Sequence, residues 1–368
     1  MEQVVGLGRE KREHLLGIVL VLLVALLWVS AAELTQIIYG GDGDDSQGGG
    51  HISKGTFEKP FFLTYFCTAL LSVYMFGFVV HSGWRSAWRK GWGDGCESNG
   101  EDEQSLDILP DDDDIQAQTN LDEMSSNLTP QEIAKLSMRF WPIWFIANYT
   151  YNWGLAKTTV ASSSTISTLA GLFTLILGGI SGTERFSFIK LVSVLFTVAG
   201  VGIVGYSDER EKGEETLVGD LLTLLGAAFF AAYTVSLKFW VGRDERINMP
   251  MFFGFVGIFN IVVGIPCLLF LHLTKIEPFS IPSPRTFGLL TLNGSLGTVL
   301  SDYLWARSVL LTTPVISTLA TSMCVPLSFL VDTFFRNETF NGLYRLGLVF
   351  VVVGFIGANV SESRLRAA

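Results

Sequence analysis

Ile166-Ser167-Thr168-Leu169-Ala170 recurs unchanged as Ile316-Ser317-Thr318-Leu319-Ala320, and the fold is read outward from this pair. At the same offset Asn152 aligns with Asp302, Trp153 with Tyr303, and Ala156-Lys157 with Ala306-Arg307. After a small gap Glu184 and Phe186 align with Glu338 and Phe340, and Gly200 with Gly354. A weaker match joins Gly17, Leu20, Leu22 and Leu23 to Gly219, Leu222, Leu224 and Leu225. Internal repetition of this length means that one structural unit has been copied, so it governs every later reading.

Both copies are apolar. Hydrophobic residues form 49% of the 368-residue chain and charged residues 16%, against roughly 25% charged in soluble domains. A bilayer core of ~30 Å takes ~20 apolar residues per helix. Runs of that kind fall at about 15–39, 60–82, 138–157, 159–181, 187–206, 217–241, 250–273, 286–309, 312–334 and 343–360. The first is too long, and lacks the small-residue cleavage site, for a removed signal peptide. The expected fold is an all-α polytopic membrane protein of about ten transmembrane helices. The repeating unit is then five helices, and an odd number of spans places the second copy upside down. Two inverted five-helix repeats, 15–206 and 219–360, are a device of transporters, whose halves exchange conformations around a central site.

The Lys and Arg distribution orients the chain. Arg9, Lys11, Arg12, Arg85, Arg89, Lys90, Lys135, Arg139, Arg185, Lys190, Lys238, Arg243, Arg246, Arg364 and Arg366 fall on one side if ten spans alternate. That side is cytoplasmic and holds both termini, 1–14 and 361–368. A linker, 207–218, joins the halves. The net charge of −10 belongs to one loop: Asp94 to Glu123 is rich in carboxylates, including Asp111–Asp114, and has no Lys or Arg. The loop 83–136 reads as a disordered acidic cytoplasmic segment, and its localised charge gives no reason to expect nucleic acid as a partner. Ile108-Leu109 beside acidic residues is loosely dileucine-like. Cys67, Cys96, Cys267 and Cys324 form no paired or CxxC pattern, and neither a metal nor a cofactor is called for.

Candidate substrate-path residues are the polar groups inside spans. Glu33 and Gln36 lie in the first, Asn148 and Asn152 in the third, Lys238 in the sixth and Asp302 in the eighth. Intramembrane charge is costly and faces protein or water. The acids read equally as carriers of a coupling proton and as fixed partners of Lys or Arg. Trp153 and Lys157 are spaced i, i+4, as are Tyr303 and Arg307, which permits a cation–π contact on one helix face. The two cations either snorkel to headgroups or flank two cavity mouths and attract an anionic group. Ser163, Ser167 and Gly171 on one span, with Thr313, Ser317 and Thr321 at the matching positions of another, read first as close helix packing. The alternative is that hydroxyls such as Ser167 and Ser317 line the path. Gly200-Val201-Gly202-Ile203-Val204-Gly205 matches GxGxxG. It lies inside an apolar span instead of between a strand and a helix, so it reads as packing.

The stretch from Asn148-Tyr-Thr-Tyr-Asn-Trp-Gly-Leu-Ala-Lys157 through Ser164, with Asp302-Tyr-Leu-Trp-Ala306, Thr313-Pro-Val and Pro326-Leu, resembles the drug/metabolite transporter superfamily. Within it the stretch resembles in particular the F-type branch of solute carrier family 35, with EamA-like fungal vacuolar-membrane and thiamine-repressible transporter-like proteins among its relatives. Ala320 departs from the Gly often found there. The resemblance implies a central cavity built from the first four helices of each half, and peripheral fifth and tenth helices able to form a homodimer contact. It also implies an endomembrane location, vacuolar or Golgi, with the plasma membrane as the alternative.

The function expected is secondary-active, alternating-access transport of a small polar solute, anionic or zwitterionic, such as a nucleotide sugar or vitamin. No clustered catalytic set points to an enzyme. The alternative is a non-transporting membrane adaptor or receptor acting through the acidic loop.

Overall fold

Lipid offers no hydrogen bonds to a peptide group, so apolar segments of this length cross it as helices or closed barrels. The computed structural model describes residues 2–40, 59–93, 128–158, 160–207, 217–279, 282–335 and 340–367, and among these it contains helices and turns but no strand. Helix α1 spans Glu2–Gly40 and α2 spans Pro60–Leu70. A 3₁₀ stretch, Leu71–Phe76, and a last turn, α3 (Gly77–Val80), extend α2. There follow α4 (Ser82–Gly93), α5 (Pro130–Leu155), α6 (Val160–Ser167), α7 (Ala170–Ser181) and α8 (Phe188–Ser207). The second part holds α9 (Leu217–Val241), α10 (Met249–Leu273) and α11 (Pro284–Gly294). A π-helical stretch, Ser295–Leu300, leads into α12 (Ser301–Leu311), followed by α13 (Pro314–Thr321), α14 (Cys324–Phe335) and α15 (Gly342–Ala367).

Local sequence sets the boundaries. Pro occupies the first turn of α2, α5, α10, α11 and α13, where its missing N–H costs nothing. Thr129 and Glu132 form a capping box, and Asn248, Ser283 and Thr313 cap their own helices. Gly182 ends α7 at φ 72° and Gly242 follows α9 at φ 74°, both left-handed positions that suit glycine.

Eight helices among the described residues are long and apolar enough to cross a membrane. Outside that set stand α5 and the run from α11 through α12, which correspond to the third and eighth expected spans. They carry Asn148, Asn152, Asp302 and Arg307 and owe much of their bulk to Trp and Tyr. Asn and charged side chains make such a stretch less apolar than a run of Leu, Val and Phe.

Both expected repeat-bearing spans are broken. The first divides at Thr168-Leu169 and the second at Ser322-Met323, one turn later in the repeat register. Both ends of the loop 83–136, expected to be disordered, are helical: α4 occupies its start and α5 begins at Pro130. The reason for α4 is amphipathicity, with Trp84 and Trp88 packed edge-on against Phe78 while Arg85, Arg89 and Lys90 share the segment. That is the pattern of a helix lying at a membrane interface. The acidic residues 94–127 lie outside the described residues.

The tightest helix pair is α8 with α15. A Cβ added at Gly200 would lie 2.7 Å from Gly347 O and Val351 N, and one at Gly347 would lie 2.7 Å from Gly200 O. The GxGxxG motif is therefore a close helix crossing. Across the molecule α5 packs on α9, α1 on α12, and α10 on the 3₁₀ stretch after α2.

Candidate functional site

Of the polar candidates, Asp302, Tyr303 and Arg307 lie on α12, and Lys238 bonds the carbonyls at its end. Asp302 is 8% exposed, and among the described residues its carboxylate has no hydrogen bond or ion pair. Its ionisable neighbours are Cys67 of α2, Tyr74 of the 3₁₀ stretch and Tyr233 of α9. The preceding residue, Ser301, accepts a hydrogen bond from Trp28 Nε1 of α1 at 3.0 Å and donates to Gly297 O at 2.6 Å. Tyr74 donates to Val299 O at 2.7 Å inside the π stretch, and its ring centroid lies 6.2 Å from that of Tyr303. Trp305, 1% exposed, packs edge-on against Tyr233 at 5.2 Å, and its Nε1 has no partner among the described residues. Elements from both sequence halves thus surround a carboxylate and an indole N–H that are buried and unbonded.

Arg307 sits further along α12, with its guanidinium 5.9 Å from the Tyr303 ring centroid, as the i, i+4 spacing allows. It donates to Asp244 Oδ2 from Nε at 2.9 Å and from Nη2 at 2.7 Å. Lys238 donates to Leu310 O at 2.5 Å and to Thr312 O at 3.4 Å, so it serves carbonyls freed where α12 ends. Asn152 donates to Thr64 Oγ1 at 2.9 Å and Asn148 to Trp144 O at 2.9 Å. Trp153 is stacked on Tyr149 at 5.7 Å, and Lys157 is exposed. Ser167 donates to Ser163 O, while Ser317 joins a hydroxyl cluster with Ser308 and Thr312 at 3.1 and 3.0 Å. The side chains of Glu33 and Gln36 lie outside the described set.

Three charged features at helix ends were not singled out as site residues from sequence. Lys190 has no exposed surface and bonds Glu184 and Glu362, each at 2.7 Å. Glu184 also accepts the Val315 N–H at 2.8 Å, capping α13 from the opposite half. Glu277, after α10, accepts the Phe61 and Phe62 N–H groups at 3.1 and 2.9 Å, capping α2 from the opposite half. Burial raises the Glu277 carboxyl above its ordinary value, and those two amides and Lys59 oppose the shift. Asp220 Oδ1 accepts from Thr158 and Ser162 at 2.7 and 2.8 Å. The one signal for any of these was the repeat match of Glu184 with Glu338; residue 338 lies outside the described residues.

Apolar helices of membrane length, with polar groups gathered where they meet, define a polytopic α-helical membrane protein. The sequence profile of solute carrier family 35, F type, matches residues 143–359. An uncharacterized vacuolar membrane protein of Saccharomyces cerevisiae is 32% identical, over 94% of this chain and 90% of its own length. The thiamine-repressible mitochondrial transport protein of the same yeast is 29% identical, over 94% and 92%. Mouse solute carrier family 35 member F5 is 28% identical, over 94% and 77%. A crystal structure superposes with a TM-score of 0.58 at 15% identity, covering 95% of this chain and 98% of that one, which is a likeness of fold. The chain belongs to solute carrier family 35, a family of membrane transporters and not of enzymes.

Proposed function

We propose that this protein is a secondary-active carrier or exchanger, working by alternating access between two inverted five-helix halves, 15–206 and 219–360. One observation carries the reading: helix pairings recur when the halves are exchanged. The contact of α5 with α9 answers to that of α12 with α1, and α6–α7 on α9 answers to α13–α14 on α1. The contact of α5 with α10 answers to that of α11 with α2, while the α8–α15 pair maps onto itself. Inverted repeats pack in this reciprocal way around a twofold axis in the membrane plane. Each half also caps a helix of the other, Glu184 at the start of α13 and Glu277 at the start of α2.

The solute is small and polar, anionic or zwitterionic, with nucleotide sugars and vitamins as the classes to try first. The candidate path runs along Asn148, Asn152, Asp302 and Tyr303. Arg307 offers its charge to an anionic group only by exchanging it for Asp244. Both termini are cytoplasmic and the membrane is an endomembrane. The yeast relatives' names give vacuole in one case and mitochondrion in the other. The outward faces of α8 and α15, with Leu195, Leu346 and Val349 exposed, supply a homodimer contact.

The test is a thermal-stability screen of the purified protein against nucleotide sugars, vitamins, phosphate esters and amino acids, followed by uptake into proteoliposomes. A ligand at ~100 times its dissociation constant stabilises the folded state by ~2.7 kcal/mol. A hit that is also accumulated or exchanged supports the carrier. A hit that binds but never crosses the membrane overturns it.

A further inference from the structure

We infer that Asp302 is the proton-coupling site of this carrier, taking up a proton in one conformation and releasing it in another; the inference rests on the transport reading. Three observations place the site. The first is the carboxylate itself, which is 8% exposed with no hydrogen bond or ion pair among the described residues. An unpaired charge inside a span is costly, and a proton removes that cost. The second is Trp305 Nε1, a turn further on, also buried and unpartnered. A buried indole N–H without a partner, one turn from an unpaired acid, calls for an explanation. The third is the π stretch Ser295–Leu300 ending just before Ser301. Single π segments in helices occur mostly at functional sites, where a register change moves the residues that follow. Here Gly297 brings the stretch against Ala31 of α1, so a change of register would act between the halves.

No cation competes for the role among the described residues. From α2 the acid meets Cys67, from the 3₁₀ stretch Tyr74, from α9 Tyr233 and on its own helix Tyr303. Helix α13 carries no titratable side chain, and α10 carries only Cys267 and His272, both toward its last turn. On α1 the titratable residue nearest in sequence to Trp28 is Glu33, an acid. Lys238 is directed to Leu310 O and Thr312 O, and Arg307 to Asp244. The step itself is minimal. One O–H bond forms or breaks at the carboxyl, and the proton comes from or returns to water at whichever mouth is open.

The experiment uses the full-length protein in detergent and needs no solute. Dicyclohexylcarbodiimide, which attacks protonated carboxyls in apolar surroundings, is applied from mildly acidic to mildly alkaline pH, and adducts are located by mass spectrometry. Asp302 is expected to be labelled at acidic pH, to lose label as pH rises, and to show none in Asp302→Asn. Hydrogen–deuterium exchange is followed in parallel at helix ends on both faces. Raising pH is expected to open one face and close the other in the wild type, while Asp302→Asn stays in the low-pH pattern. Absent or pH-independent labelling overturns the proposal. So does an exchange response equal in wild type and Asp302→Asn, which is what a merely structural acid would give. Failure of the solute screen would count against the carrier reading and leave these readouts intact.

Discussion

Lys190 has no exposed surface and holds two carboxylates that come from different halves, Glu184 just after α7 and Glu362 near the end of α15. Removing one member of a buried charge network strands the others, typically at ~3–5 kcal/mol. Lys190→Met is therefore expected to lower the unfolding temperature in detergent far more than Glu362→Gln, which leaves the Glu184–Lys190 pair and the cap on Val315 intact. Equal, small losses would mean that the network contributes little. Glu277 is a gentler case at the other set of helix ends. Burial raises its carboxyl pKa, so the folded state binds the proton more tightly than the unfolded state. Its contribution to stability is then fully present below the ordinary carboxylate range and declines as pH rises through the raised folded value. Melting curves across that window should decline less steeply for Glu277→Gln than for the wild type. Parallel slopes would remove Glu277 from the account.

Helix pairs explain which parts of the fold were legible. Two glycines of one motif make opposite predictions. A Cβ at Gly200 would crowd the backbone of Gly347 and Val351, whereas one at Gly202 meets only Thr165 Cγ2 at 3.6 Å, an ordinary contact. Gly200→Ala is expected to destabilise by the ~1–3 kcal/mol typical of overpacking, and Gly202→Ala to be neutral or slightly stabilising through its helix propensity. Similar melting temperatures for the two variants would count against the α8–α15 crossing. Apolar period and the spacing of small residues announce such helices in sequence, and the repeat told α5 and α12 apart from loops despite their polar residues. The site was less legible. Asp302 and Tyr303 stood out because charge and hydroxyl are rare in spans. Trp28, Tyr74, Tyr233 and Trp305 did not, because an aromatic residue in an apolar run looks the same whether it faces lipid or a buried acid. The carboxylate caps were hidden for a different reason. Glu184 and Glu277 act on backbone amides more than a hundred residues away, and no local pattern encodes such a contact.

At the scale of the molecule, the inter-half bonds group by helix end. Glu184 holds the start of α13 and Lys190 holds Glu362, while Asp220 holds Thr158 and Ser162 and Glu277 holds the start of α2. In the inverted-repeat reading the first group closes the cytoplasmic face and the second closes the opposite one. A carrier may open only one face at a time, so loosening one group must tighten the other. The expectation can be read with a membrane-impermeant maleimide on single cysteines, after native cysteines are replaced, in Thr313→Cys for the first face and Thr158→Cys for the second. Glu184→Gln should raise reactivity at position 313 and lower it at 158. Asp220→Asn, tested with the cysteine moved to Phe61→Cys so that its own bond partner is untouched, should raise reactivity there and lower it at 313. The shift follows from population arithmetic: weakening one closed face by ~1.4 kcal/mol changes the ratio of the two states about tenfold. Reactivity that rises at both faces together would describe a bundle that loosens as a whole, and the rocking of two halves would have to be abandoned.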